Sequence, residues 1–229
     1  MKLTIALLLI IPSFIGNGEI VKSHEKEIWE QKDFQNPYTL IDNEDYLILS
    51  TKKGEVKIID EYDNIANYPG YEVITYYDED TIIGKSVVRE DLEIYRKYNP
   101  KKSFDDYKVP VYEGELADPD FGTNPWASMF SSRIEEACKG GINFAGHYTL
   151  AMWGCGTSCQ QAMIVDRKTG KIYDAVTTSF GIDYRKDSKL LISNVGAIDT
   201  ETGLIEVCSY CEVLHKVWVV DRFISNTSY

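Results

Sequence analysis

Apolar and polar positions alternate most clearly in the middle of the chain, around "GHYTLAMWGCGTSCQQAMIVD" (residues 146–166). The runs "HYTLAMW" and "QAMIVD" predict two strands, the turn "DRKTG" reverses the chain, and "KIYDAVT" predicts the return strand. Upstream, "NPWASMFSSRIEEACKGG" has the helical period instead. Trp126, Met129, Phe130, Ile134, Ala137 and Cys138 recur every three or four residues and predict one apolar face. Asn124 suits the N-cap, Pro125 the first helical position, and Gly140-Gly141 a left-handed end. Cys138 falls on the buried face, where a cysteine serves as a small hydrophobe. Downstream, "YRKDSKLLISN", "DTETGLIEVCSY" and "HKVWVVDRFI" each predict a strand.

The N-terminal half is less regular. "YLILSTKKGEVKIID" predicts a hairpin about Lys53-Gly54, and "GYEVITYYDEDTIIGKSVV" a strand pair about Asp78–Asp80. "REDLEIYRKYNP" places Leu92, Tyr95 and Tyr98 at helical spacing and stops before Pro100. Residues 19–36 are charged with little periodicity, and 100–107, "PKKSFDDY", is the expected linker. "STKKGEVKII", "VDRKTGKIYD" and "IDTETGLIEV" share a loose turn-and-strand form. With at most ten strands against the roughly sixteen of a four-bladed propeller, these are recurring turns rather than repeats. The expected fold is α+β: mainly antiparallel sheet of hairpins and meander, one amphipathic helix packed on it, and a β-rich N-terminal extension. The expected division is 1–18, 19–100 and 107–229.

Composition adds location. The 229 residues are 44% hydrophobic and 12% aromatic, as in a folded protein. A formal charge of -12 argues against a nucleic-acid partner. At the N-terminus, Lys2 precedes an apolar run from Leu3 to Ile15, and Gly16 and Gly18 offer a small-x-small cleavage site. The run is too short to span a bilayer, which takes about 20 residues. Residues 1–18 are therefore expected to be a signal peptide. The mature chain would be periplasmic or secreted, without a stable membrane anchor.

Export bears directly on Cys138, Cys155, Cys159, Cys208 and Cys211. An oxidising compartment favours disulfides among Cys155, Cys159, Cys208 and Cys211, and the odd number leaves one thiol over. Either close pair could bond locally, or the two pairs could crosslink. A four-thiolate zinc site has the right format, C-x3-C with C-x2-C, but export works against it, so no metal or cofactor is expected. A catalytic His147–Cys155 pair meets a geometric objection: eight extended residues span about 26 Å, whereas a dyad needs about 3 Å.

The favoured reading is a non-enzymatic, disulfide-stabilised binding or inhibitor-like module for a protein or small-molecule ligand. Its binding loop would be Trp153, Gly154, Cys155, Gly156, Thr157, Ser158, Cys159 and Gln160. The alternative is a Cys/His or metal-dependent hydrolase-like enzyme using His147, Cys155 and Cys159. Outside that alternative, His147 is a histidine satisfied by a neighbouring backbone group or carboxylate, and no catalytic residue is assigned. Gln160 and Gln161 are loop-exit amides, Asn143 serves a turn, and Asp118 and Asp120 are turn formers.

"GINFAGHYTLAMWGCGTSCQ", with "IVDRKTGKIY" and "YRKDSKLLISN", resembles an uncharacterised group of bacterial exported proteins sharing an N-F-A-G-H-Y-T…W-G-C-G-T-x-C core. The similarity covers about residues 107–229. It implies a common fold and an exported setting, and carries no activity. Cys138 and the "CSYC" pair stand outside the shared pattern. A more distant likeness, of architecture alone, is to periplasmic lysozyme inhibitors, in which a disulfide loop between strands plugs an enzyme's cleft. The characteristic inhibitory loop of that family is absent here.

Overall fold

A computed structural model describes residues 38–208 and 210–225. The expected signal peptide at 1–18 and the charged stretch 19–36 lie outside the described residues. Among the described residues the fold is α+β, with fourteen strands in four sheets and one α-helix, α1 (Ser131–Lys139). Every strand pair within the sheets is antiparallel.

The first sheet runs β1 (Tyr38–Asp42), β2 (Tyr46–Ser50), β6 (Leu92–Lys97), β12 (Leu204–Glu206). The second runs β3 (Glu55–Asp60), β5 (Asp80–Lys85), β4 (Glu72–Tyr77). The third is a meander of β7 (Tyr148–Gly156), β8 (Cys159–Asp166) and β9 (Ile172–Thr178). The fourth runs β10 (Ile182–Tyr184), β11 (Leu190–Ser193), β13 (Leu214–Val219), β14 (Arg222–Ser225). The fourteen strands exceed the ten expected. They are still not propeller blades, because the first two sheets draw on strands out of sequence order.

The β7–β8–β9 meander explains the strongest sequence signal. Tyr148, Leu150, Ala162 and Ile164 point to one core, with Phe144, Leu191 and Trp218. Ala151, Trp153, Met163 and Val165 point to the other, against Ala127, Ile134 and Cys138. A sheet covered on both faces needs apolar residues at consecutive positions, hence the near-continuous hydrophobic runs. In β9 a one-residue irregularity opposite Gln161–Met163 lets Ile172 and Val176 serve opposite cores. Each such fully buried side chain stabilises the fold by about 1.5–3 kcal/mol relative to exposure.

Several expectations change. The helix is preceded by a 3-10 segment, Pro125–Phe130, whose three-residue period turns Ala127 and Phe130 inward. Trp126 and Met129, expected on the apolar face, are exposed. Asn124 accepts the Ala127 N–H through its backbone, while its side chain donates to Asp174 rather than capping. Gly141, at φ 78°, supplies the left-handed exit.

"REDLEIYRKYNP" forms strand β6, not a helix. Leu92 and Ile94 alternate inward, and pairing to both β2 and β12 overrides the helical spacing. The two runs of "YLILSTKKGEVKIID" are strands but not a hairpin. The wholly buried β2 pairs with β1 and β6, while β3 pairs with β5. "HKVWVVDRFI" is a hairpin, β13 and β14, not a single strand. The expected linker 100–107 contributes Phe104, which is buried against Leu190, Ile192, Ile205 and Val213. The β4–β5 pair about Asp78 forms as expected, with Asp78 at φ 54°.

Candidate functional site

The β7–β8 hairpin stays in register from Tyr148–Asp166 to Gly154–Gln160, then shifts so that Gly156 faces Cys159. At that end a Cys155–Cys159 disulfide closes the loop across a Cα–Cα distance of 5.1 Å. The connection requires φ 142° at Gly156, open only to glycine, and φ 51° at Ser158. Gly154, Cys155, Gly156, Thr157 and Ser158 are exposed. Trp153 is not part of that surface. Its ring is buried and stacked on Phe130, centroids 4.6 Å apart, so it roots the hairpin in the core. Gln160 also turns inward, its side-chain oxygen buried beside Gly181.

A second disulfide, Cys208–Cys211, closes another short loop. Asn194, at φ 59°, connects it to the hairpin. Its Oδ1 accepts the Thr178 hydroxyl at 2.6 Å and the backbone N–H groups of Ser179 and Phe180 at 3.0 and 3.1 Å. Its Nδ2 donates to the carbonyl of Glu212 at 2.8 Å. Thr178 is the β9 partner of Gln160. Phe180 stacks on the exposed Tyr210, centroids 6.0 Å apart. The two disulfide loops therefore border one surface, with the 178–181 turn between them. The sequence reading missed Asn194. The available signal was an asparagine ending an apolar run, one of the few residue types that tolerates a left-handed backbone.

His147 lies at the opposite end of β7. Its Nε2 is 3.9 Å from Asp166 Oδ1 and its ring packs on Tyr148, centroids 4.1 Å apart. The two border a cleft of about 300 Å³ with Lys189 and Trp218. Burial, with help from Lys168, pushes the His147 pKa below its ordinary value, and Asp166 opposes that only in part. Next to it, Asn143 donates to the Leu150 carbonyl and accepts the Leu150 N–H, imitating a strand residue at the edge of β7. His215 is buried with its Nε2 2.9 Å from the Tyr98 hydroxyl.

The structure thus brings the cysteines together in pairs and does not bring His147 to them. Cys155 and Cys159 are bonded to each other, and β7 separates them from His147. Cys138 is the free cysteine, buried on α1, and burial raises its thiol pKa. Among the described residues, no three His, Cys, Asp or Glu side chains converge as a metal site would require. Asp120 forms a turn, accepting the Gly122 N–H at 2.9 Å.

No family model, curated protein or solved structure matches this chain.

Proposed function

We propose that the chain is an exported, disulfide-stabilised binding module whose contact surface is the Gly154–Ser158 tip, extended by the 178–181 and 208–212 loops. One observation carries this reading: an exposed, uncharged tip is closed at its neck by a disulfide, and Asn194 ties the neighbouring 178–181 turn to the loop of the second disulfide. A convex surface held this way loses little conformational entropy on docking. The partner that suits it is a protein with a concave site, engaged in the manner of a plug. Export to the periplasm or beyond fits both disulfides.

A photo-reactive residue at Thr157, in the producing cell, tests the reading. The expected result is a crosslink to one exported protein, lost in Cys155→Ser/Cys159→Ser and absent when the reactive residue replaces Arg133 on α1. Equal crosslinking from both positions would count against it.

The hydrolase-like alternative retains one observation, the His147–Asp166 cleft. It requires hydrolytic activity that disappears in His147→Ala.

A further inference from the structure

Among the described residues, eight strands lie at the edges of the four sheets: β1, β3, β4, β7, β9, β10, β12 and β14. An exposed edge invites pairing with another chain, and proteins blunt it with charged side chains, proline or very short strands. Seven of the eight carry at least one charged side chain, among them Asp42 in β1, Lys57 in β3, Asp174 in β9 and Arg222 in β14. β7 carries none along its nine residues, and it is the longest strand described.

Half of its outer edge is already closed. Tyr148 exchanges backbone hydrogen bonds with Phe144, while the Asn143 side chain accepts the Leu150 N–H at 2.7 Å and donates to the Leu150 carbonyl at 3.0 Å. Every second residue of an edge strand turns its N–H and C=O away from the sheet, and the register to β8 is unbroken from Tyr148 to Gly154. The backbone groups of Met152 and Gly154 therefore also point off the edge. Among the described residues no neighbouring segment takes them up. Met152 is 42% exposed and Gly154 is exposed. An open, uncharged length of edge thus lies between Asn143 and the hairpin tip.

A second copy of the chain does not fit this opening. Two β7 edges joined antiparallel at Met152 and Gly154 would drive each tip into the other copy's Asn143–Phe144 segment. Joined in parallel, they would set the two 143–144 segments against each other. An extended segment that turns away before Asn143 meets neither obstacle. On a chain of formal charge -12, an edge free of charge suits an uncharged segment.

We propose that the open edge of β7 binds an extended, uncharged segment of a partner protein by strand addition, through the backbone of Met152 and Gly154. The edge runs into the hairpin tip, so one partner can engage both. The edge site is nevertheless argued from strand backbone and does not depend on what the tip contacts.

The test is an array of short uncharged peptides rich in Val, Ile, Thr and Tyr, probed with the oxidised protein. Some should bind saturably. Methylating every second backbone nitrogen should abolish their binding in one phase and spare it in the other, because one side of an added strand pairs. Met152→Pro, a substitution tolerated where an N–H points off an edge, should weaken the same peptides at least about tenfold. Cys155→Ser/Cys159→Ser should leave them bound, which separates the edge from the tip. If Met152→Pro does not fold, the methylation pattern decides alone. An array without a saturable binder would overturn the proposal. So would equal loss from both methylation phases, binding that survives in folded Met152→Pro, or binding lost with the tip disulfide. Self-association of the protein that Met152→Pro abolishes would overturn it too, by placing a second copy at the edge.

Discussion

The Thr178 hydroxyl and the Asn194 side-chain oxygen lie 2.6 Å apart, and that hydrogen bond joins the end of β9 to the loop closed by Cys208–Cys211. Asn194 does with one amide what would otherwise take a short strand. It satisfies two backbone donors in the 178–181 turn and reaches a carbonyl beyond the second disulfide. The surface around the hairpin tip owes its continuity to this residue.

Asn194→Ala should therefore cost more than a surface substitution. It leaves the N–H groups of Ser179 and Phe180 without their acceptor and puts alanine at a positive φ. Unpaired donors of this kind cost about 1–3 kcal/mol. Asn194→Gly removes the backbone strain and isolates the loss of the amide. Urea unfolding of both variants measures the two contributions. A cost under about 0.5 kcal/mol, the range of an ordinary surface change, would show that the tie is dispensable.

Removing the tip disulfide should loosen the loop without dissolving the sheet. The two cysteines are four positions apart in sequence, and closing so short a loop stabilises the fold by about 2 kcal/mol through the lost entropy of the unfolded chain. The meander below it is held by cores on both faces, so Cys155→Ala/Cys159→Ala should fold with unchanged far-ultraviolet dichroism and a lowered urea midpoint. Loss of the strand signal would mean that the disulfide holds up the hairpin rather than shaping its end.

The chain should lose stability as the medium becomes mildly acidic. His147 and His215 both have pKa values pushed below the ordinary 6.5, in each case first by burial. The unfolded chain therefore binds more protons than the folded one between the depressed and the ordinary values. Stability from this source is complete above the ordinary value and falls as pH drops through that window. Urea midpoints at about pH 7.5 and about pH 5.5 bracket it. His215→Gln should flatten the difference, and an unchanged slope would remove His215 as a contributor.

What was legible in the sequence follows from where each segment finds its partners. The meander could be read because β7, β8 and β9 pair with their own neighbours across short turns, and because both faces are covered. The helix could be placed from Pro125 and Gly140-Gly141, but not the inward side of its first turn. There a 3-10 geometry exchanged Trp126 and Met129 for Ala127 and Phe130. β6 was misread because its partners lie some fifty residues before it and a hundred after it, and only their pairing makes Leu92 and Ile94 a strand. The disulfide loop stood out through its cysteines and glycines. Asn194 did not, because its role exists only once two separate segments, 178–181 and 210–212, converge on it.

The most direct measurement of the disulfide-locked tip is intact and peptide mass spectrometry of the protein, purified without reductant from the cells that make it, after alkylation with and without prior reduction. The expected result, without reduction, is an internally bonded Cys155–Cys159 peptide and an internally bonded Cys208–Cys211 peptide, with Cys138 as the sole thiol left to label. Free, alkylated Cys155 and Cys159 in that sample would contradict it.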